Sequence, residues 1–379
     1  MTAKHVACTA SVAVLLVSIG CSRPEAVVAG DDAPSLMEAF SESFLIGAAL
    51  NPEQFNERDA RGVKLVTKHF NSITPENVMK WEVIHPEPGR YDFDEADRFV
   101  AFGEANDMMI VGHTLVWHSQ TPQWVFEDAA GNPLGRDSLL ARMRNHIHTV
   151  VGRYKGRVHG WDVVNEALNE DGTLRQSPWM KIIGDDYIER AFQFAHEADP
   201  AAQLYYNDYS LENAAKRNGA TGLLSRLLEK GVTVTGIGTQ AHSGLDWPSI
   251  AQFDSTIAAF ADTGVDVMVT ELDIDLLPFP SDEQTADISL RGEISPDMNP
   301  YPDMLPDSMQ LVLAERYAAV FRVFLKHRES ISRVTFWGVT DGDTWKNNWP
   351  INGRTAYPLL FDRNYQGKPA LDAVIGTLQ

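Results

Sequence analysis

Eight short apolar runs recur along this chain, near residues 44–49, 69–74, 108–113, 158–164, 203–207, 234–239, 266–271 and 333–338. Each reads as a strand of near-continuous hydrophobicity, the pattern of a parallel sheet buried on both faces. Amphipathic stretches of helical spacing lie between them, over Asn56–Lys68, Glu95–Asn106, Ser138–Tyr154, Asp186–Asp199 and Asn213–Lys230. The clearest is 308–327, where Leu313, Tyr317, Val320, Phe321, Phe324 and Leu325 fall on one stripe. Strand–helix units imply a parallel sheet, and eight of them close into a barrel. The expected fold class is therefore α/β, a single (β/α)8 TIM barrel. The competing architecture is an open doubly wound sheet, which carries a glycine-rich phosphate loop after its first strand. Gly47-Ala48-Ala49-Leu50-Asn51 supplies none.

Residues 36–379 are expected to form that one barrel, with a long irregular loop at 275–307 rich in Pro, Asp and Met. The first 20 residues resemble a signal peptide, with Lys4 ahead of an apolar run from Val12 to Ile19 that is too short to span a bilayer. Cys21 follows Gly20 as in a bacterial lipobox, although Ser18 stands where that pattern prefers Leu. The alternative is simple cleavage after Val27-Val28-Ala29. Residues 21–35 then read as a lipidated or cleaved tether. The expectation is an exported protein held on the bacterial cell envelope by a lipid at Cys21, or otherwise secreted. Both cysteines, Cys8 and Cys21, lie in this leader, so the barrel carries no disulfide. The formal net charge of −20 argues against nucleic acid and against anionic lipid as partners. A monomer is the default expectation.

In a barrel of this type the chemistry sits at the C-terminal ends of the strands. Those ends carry Glu76, Asn77, Lys80 and Trp81, then His113, Trp117, His118 and Gln120, then Asn165-Glu166 and Asn207-Asp208-Tyr209. They continue with Gln240 and His242, Glu271 and Asp273, and Trp337 followed by Trp345. Two carboxylates, Glu166 and Glu271, each terminate an apolar strand. Such a pair is the equipment for breaking a glycosidic bond, one group protonating the leaving oxygen and the other attacking or activating water. Hydroxyl-binding groups interleaved with indole faces suit a sugar, which has hydroxyls at its edges and C–H groups on its faces. Spacing alone does not say which carboxylate has which task. Metal chemistry finds no support, since His146 and His148 point to different faces of one helix and no carboxylate completes a set. No cofactor is implied.

These residues resemble glycoside hydrolase family 10, the retaining endo-β-1,4-xylanases. The likeness runs from about residue 44 to 371 and takes in Pro75-Glu-Asn-Val-Met-Lys-Trp81, His113-Thr-Leu-Val-Trp-His-Ser-Gln120, Trp161-Asp-Val-Val-Asn-Glu-Ala167 and Thr270-Glu-Leu-Asp-Ile274. It continues through Trp337-Gly-Val-Thr-Asp341, Gly353-Arg-Thr355 and Tyr357-Pro-Leu-Leu-Phe-Asp362. The resemblance implies hydrolysis of β-1,4-xylosidic bonds through a covalent glycosyl-enzyme, with xylan and xylo-oligosaccharides as partners. It makes Glu166 the general acid/base and Glu271 the nucleophile, with Asn165 on the sugar 2-hydroxyl. His242 and Asp273 would hold and polarise the nucleophile. Glu76, Asn77, Lys80, His113, Gln120, Tyr209 and Gln240 would bind substrate, with Trp117, Trp337 and Trp345 cradling the sugars. Trp345 would sit where a glucose hydroxymethyl group projects. The 275–307 segment resembles a variable insertion, so no role carries over to it. Three other functions compete: a related β-1,4-glycanase or cellobiosidase, a catalytically silent tethered glycan-binding protein, and a barrel enzyme for a phosphorylated substrate. The last would need a glycine-rich cradle that the seventh and eighth strand ends lack.

Overall fold

In the computed structural model, which describes residues 34–281 and 285–379, nine strands form one parallel sheet that closes on itself. They are β1 (Leu45–Leu50), β2 (Ser72–Pro75), β3 (Met109–Val116), β4 (Gly160–Asn165), β5 (Gln203–Asp208), β6 (Gly236–Thr239), β7 (His242–Gly244), β8 (Asp266–Asp275) and β9 (Ile331–Phe336). Closure runs from β1 against β9 and from β6 against β8. The short β7 pairs with the outer half of β8, opposite Asp273 to Asp275, while β6 pairs with the inner half. Strands β6 and β7 thus share one barrel position, interrupted at Gln240-Ala241, and the architecture is a single (β/α)8 barrel. Ala241 takes the left-handed conformation at φ 59° to make that break.

The helices are α1 (Leu36–Ala39), α2 (Pro52–Phe55), α3 (Ala60–His69), α4 (Trp81–Ile84), α5 (Asp94–Ala105) and α6 (Arg136–Arg153). They continue as α7 (Pro178–Ile183), α8 (Tyr187–Ala198), α9 (Ala214–Glu229), α10 (Ile250–Ala261), α11 (Asp307–Lys326) and α12 (Pro369–Ile375). Every expected helical stretch is helical, with ends displaced by a few residues. The stripe on α11 is realised as expected: Leu313, Tyr317, Val320, Phe321 and Phe324 are fully buried. The strands owe their placement to burial on both faces, and in β8 only Asp266 is exposed. Two glycines make room inside the barrel. A Cβ on Gly112 would meet the Trp161 ring at 2.1 Å, and one on Gly238 would meet the Asn207 amide at 2.6 Å.

The leader and most of the tether fall in residues 1–33, outside the described residues. The tether ends earlier than expected. Ser35 is buried and caps α1, its side chain accepting from the Glu38 backbone while Glu38 reaches back to Ser35. The expected long loop fills the interval between β8 and α11. Its far end is fastened to the body where Thr355 N donates to Asn299 Oδ1 at 3.0 Å and the Tyr357 hydroxyl donates to Tyr301 O at 2.7 Å.

Candidate active site

Strand register brings the two carboxylates to one place. Asn165 ends β4 opposite Asn207 on β5, and Asn207 lies opposite Gly238 on β6. In a regular strand Asn165 and Glu166 would face opposite ways. Glu166 instead adopts φ 56°, a left-handed conformation that costs a non-glycine residue about 1–3 kcal/mol, and both side chains line the same cavity. That cavity, about 220 Å³, is walled by Glu76, Asn77, Lys80, His113, Trp117, Gln120, Gln240, His242, Glu271, Trp337 and Trp345.

Thirteen of the fifteen residues expected at the site therefore share one cavity. Asp273 stands directly behind it, its Oδ2 at 2.9 Å from His242 Nδ1. Tyr209 lines the neighbouring cavity instead, together with Arg175, Glu170, Asn213, Trp247 and Asp287. The insertion contributes Ala286 and Ile288 to the wall around the two carboxylates, which the sequence did not signal. Also unassigned beforehand was Asn207, whose Nδ2 donates to Asn165 Oδ1 at 3.0 Å and to Glu271 Oε1 at 2.9 Å. Thr270 fixes that amide by donating to Asn207 Oδ1 at 2.7 Å. Among the described residues no group of His, Cys, Asp and Glu is arranged to hold a metal ion.

The electrostatics of the two carboxyls diverge. Glu166 is 5% exposed, and burial together with the charge of Asp208 lifts its pKa to about 7, with Glu271 adding less. Hydrogen bonds from Gln240 Nε2 at 2.9 Å and Trp117 Nε1 at 2.8 Å oppose the rise without cancelling it. Of the two carboxylates that act on Glu166, Asp208 is the larger charge. For Glu271, burial works upward too, but His242 outweighs it by hydrogen bond and by charge, and His113 and Asn207 add to the downward pull. Its carboxyl is held below the usual range.

His242 spans Glu271 Oε2 at 3.2 Å and Asp273 Oδ2 at 2.9 Å. Burial disfavours its charge, yet the two carboxylates prevail and raise it to about 9, so at neutral pH it is an imidazolium donating to both. Trp345 Nε1 donates to Asp273 at 2.7 Å, and its ring stacks on Trp349 at 4.4 Å. On the opposite wall Lys80 Nζ donates to Asn77 and Gln120, each at 2.9 Å. Burial lowers Lys80 and raises Glu76 to about 7. Trp117 has a second task besides any stacking, since its indole N–H is committed to Glu166.

A buried acid held protonated beside a carboxylate held ionised, under a rim of sugar-sized polar groups, is equipment for glycosidic cleavage. The glycosyl hydrolase family 10 model matches residues 35–377. The chain belongs to glycosyl hydrolase family 10. It is 45% identical over 352 residues to endo-1,4-beta-xylanase A of Xylanibacter ruminicola, covering 93% of this chain and 95% of that one. It is 43% identical to an endo-1,4-beta-xylanase of Geobacillus stearothermophilus, over 90% of this chain and 98% of the relative. Among solved structures it resembles a family 10 endoxylanase from a sugarcane soil metagenome, with a TM-score of 0.88, 45% identity and coverage of 90% and 99% of the two chains. A glutamate-to-alanine mutant solved with xylotriose matches at a TM-score of 0.81 and 38% identity, over 90% of this chain and 99% of that one. The family 10 match begins at residue 35, where the structure places the cap of α1.

Proposed function

We propose that this protein is a retaining endo-1,4-β-xylanase in which Glu271 is the nucleophile and Glu166 the general acid/base. The observation that carries the reading is the opposed charge of the two carboxyls in one cavity, Glu166 lifted to about 7 and Glu271 held below its usual value. In the first step a Glu271 oxygen forms a bond to the anomeric carbon as the glycosidic C–O bond breaks. The Glu166 proton passes to the departing oxygen. In the second step Glu166, now a base, takes a proton from water, whose oxygen displaces Glu271 and restores its carboxylate. The imidazolium of His242 steadies the Glu271 anion, and Asn207 fixes its other oxygen. Asn165 is oriented by its bonds to Asn207 and Glu166, ready for the sugar 2-hydroxyl. Xylan as substrate is supported by the relatives named as endo-1,4-beta-xylanases and by the neighbour solved with xylotriose.

The test is product analysis on glucuronoarabinoxylan and barley β-glucan for the intact protein, Glu271→Ala and Glu166→Ala. Xylo-oligosaccharide release that vanishes in Glu271→Ala, and returns with azide as the inverted glycosyl azide, is the expected outcome. Activity confined to the glucan would refute the substrate. From the leader we also propose export with a lipid at Cys21; labelled palmitate should enter the intact protein but not Cys21→Ser.

A further inference from the structure

Behind Glu166, away from the cavity, lies a charge pair that the two-carboxylate mechanism does not use. Asp208 closes β5 and is fully buried, as is Lys216 in the first turn of α9. Lys216 Nζ lies 3.0 Å from Asp208 Oδ1. Four donors converge on the Asp208 carboxyl: Lys216 and the Tyr209 N–H at 2.9 Å on one oxygen, the Tyr206 hydroxyl at 2.5 Å and the Leu168 N–H at 3.3 Å on the other. Four donors around one carboxyl match its ionised form, which only accepts. The Leu168 bond also pins the chain two residues beyond Glu166. Lys216 reaches further toward the acid: it lies 3.5 Å from the centre of the Tyr209 ring, whose hydroxyl accepts from Arg175, and Arg175 Nε donates to the Glu166 carbonyl.

Glu166 thus meets Asp208 from β5, Glu271 from β8, Lys80 from the start of α4, and Arg175 and Tyr209 from the adjoining loops. His118 follows β3 nearby and is held neutral at working pH, chiefly by burial. Of the anions among these, Asp208 is the one whose charge survives the whole reaction, since Glu271 is neutralised when it is esterified. We propose that Asp208 and Lys216 are positioning residues for the acid: Asp208 keeps the proton on Glu166, and Lys216 keeps Asp208 an anion. This rests on the reading of Glu166 as the general acid. It implies that after glycosylation Glu166 still feels one buried anion, so its conversion to a base is graded rather than complete. The upward displacement of the Glu166 pKa, with Asp208 the leading charge, agrees.

The experiment is the pH dependence of kcat/KM on xylotetraose, which needs the acid, and on a dinitrophenyl β-xylobioside, which does not. In Asp208→Asn the alkaline limb on xylotetraose is expected to move lower by at least about 1 on the pH scale, so that activity at pH 8 falls about tenfold more than at pH 5. The dinitrophenyl substrate should show no such movement. Lys216→Met is expected to move the limb the same way, because Lys216 is the cation in contact with the buried Asp208 carboxyl. Lys216→Arg should restore it. A limb that stays in place in folded Asp208→Asn, or that moves equally on both substrates, overturns the proposal. Should Asp208→Asn fail to fold, Lys216→Met decides on the same criterion. If instead Glu166→Ala retains its alkaline limb on xylotetraose, the assignment of the acid itself is wrong, a result separable from the other two.

Discussion

Replacing Glu166 by Gln should abolish a loss of stability that the parent suffers on going to alkaline pH while destroying its activity, and the size of that relative gain follows from the site. The carboxyl moves from an ordinary value of 4.5 to about 7 on folding, and at 5% exposure solvent screens it little. A tenfold change in proton affinity corresponds to about 1.4 kcal/mol, so the native state carries a cost of about 3 kcal/mol once Glu166 ionises. The sign is that of a raised acid. Below pH 4.5 the carboxyl is protonated in both states, and its stabilising contribution is fully present. As the pH rises from 4.5 through 7 the unfolded chain ionises first, and that contribution is lost. Gln has no such titration. Its amide brings a separate, pH-independent penalty of about 1–3 kcal/mol, because Trp117 Nε1 and Gln240 Nε2 both offer donors to this side chain. That penalty, and the like-signed titration of Glu76, cancel when the effect of the substitution is compared between two pH values. Urea unfolding of both proteins at pH 4 and pH 8.5 should therefore show Glu166→Gln gaining about 3 kcal/mol relative to the parent on going to the higher pH. A relative gain below about 1 kcal/mol, or one of opposite sign, would refute the claim that burial and Asp208 hold this proton.

The pH profile of kcat/KM on xylotriose should fall on the alkaline side near about 7, where Glu166 loses its proton, and on the acid side below 4.5, where Glu271 gains one; an alkaline limb above pH 9 would contradict it. Trp345→Ala removes the indole bond to Asp273 and the stack on Trp349, and should raise the ratio of β-glucan to xylan activity about tenfold, the scale of one excluded group. An unchanged ratio would deny Trp345 any part in substrate choice. Ala286→Leu thickens the insertion where it lines the cavity and should raise KM on xylan with unaltered circular dichroism. Asn207→Ala leaves one Glu271 oxygen without its donor and should lower kcat about a hundredfold, measured against wild type on the same oligosaccharide.

How far the site could be read from residues alone depended on which layer a residue occupies. The approach to the rim was legible, because burial on both faces makes the inner parts of these strands nearly apolar, although β3 and β8 run on past His113 and Glu271 to Val116 and Asp275. That placed Glu166, Glu271, His242 and the tryptophans. The layer beneath was not legible. Lys216 sits on α9 among alanines and could as well have been a solvated helix residue; only its reach back across Tyr209 brings it to Asp208. Asp208 is adjacent in sequence to Asn207, yet the two face different partners, Asn207 bonding Glu271 and Asp208 the Leu168 N–H two residues beyond Glu166. Ala286 and Ile288 stand in an insertion without periodicity, so nothing in their spacing could have placed them at the carboxylates. Even the alternation rule misleads at the decisive point. A regular strand would send Asn165 and Glu166 to opposite faces, and it is the φ of 56° at Glu166 that puts both in the cavity. The room for Asn207 depends likewise on a missing Cβ at Gly238, a residue that in sequence only weakens a strand. The pattern of polarity therefore locates the chemistry, whereas the charge each carboxyl bears is decided by neighbours brought there from other strands and helices.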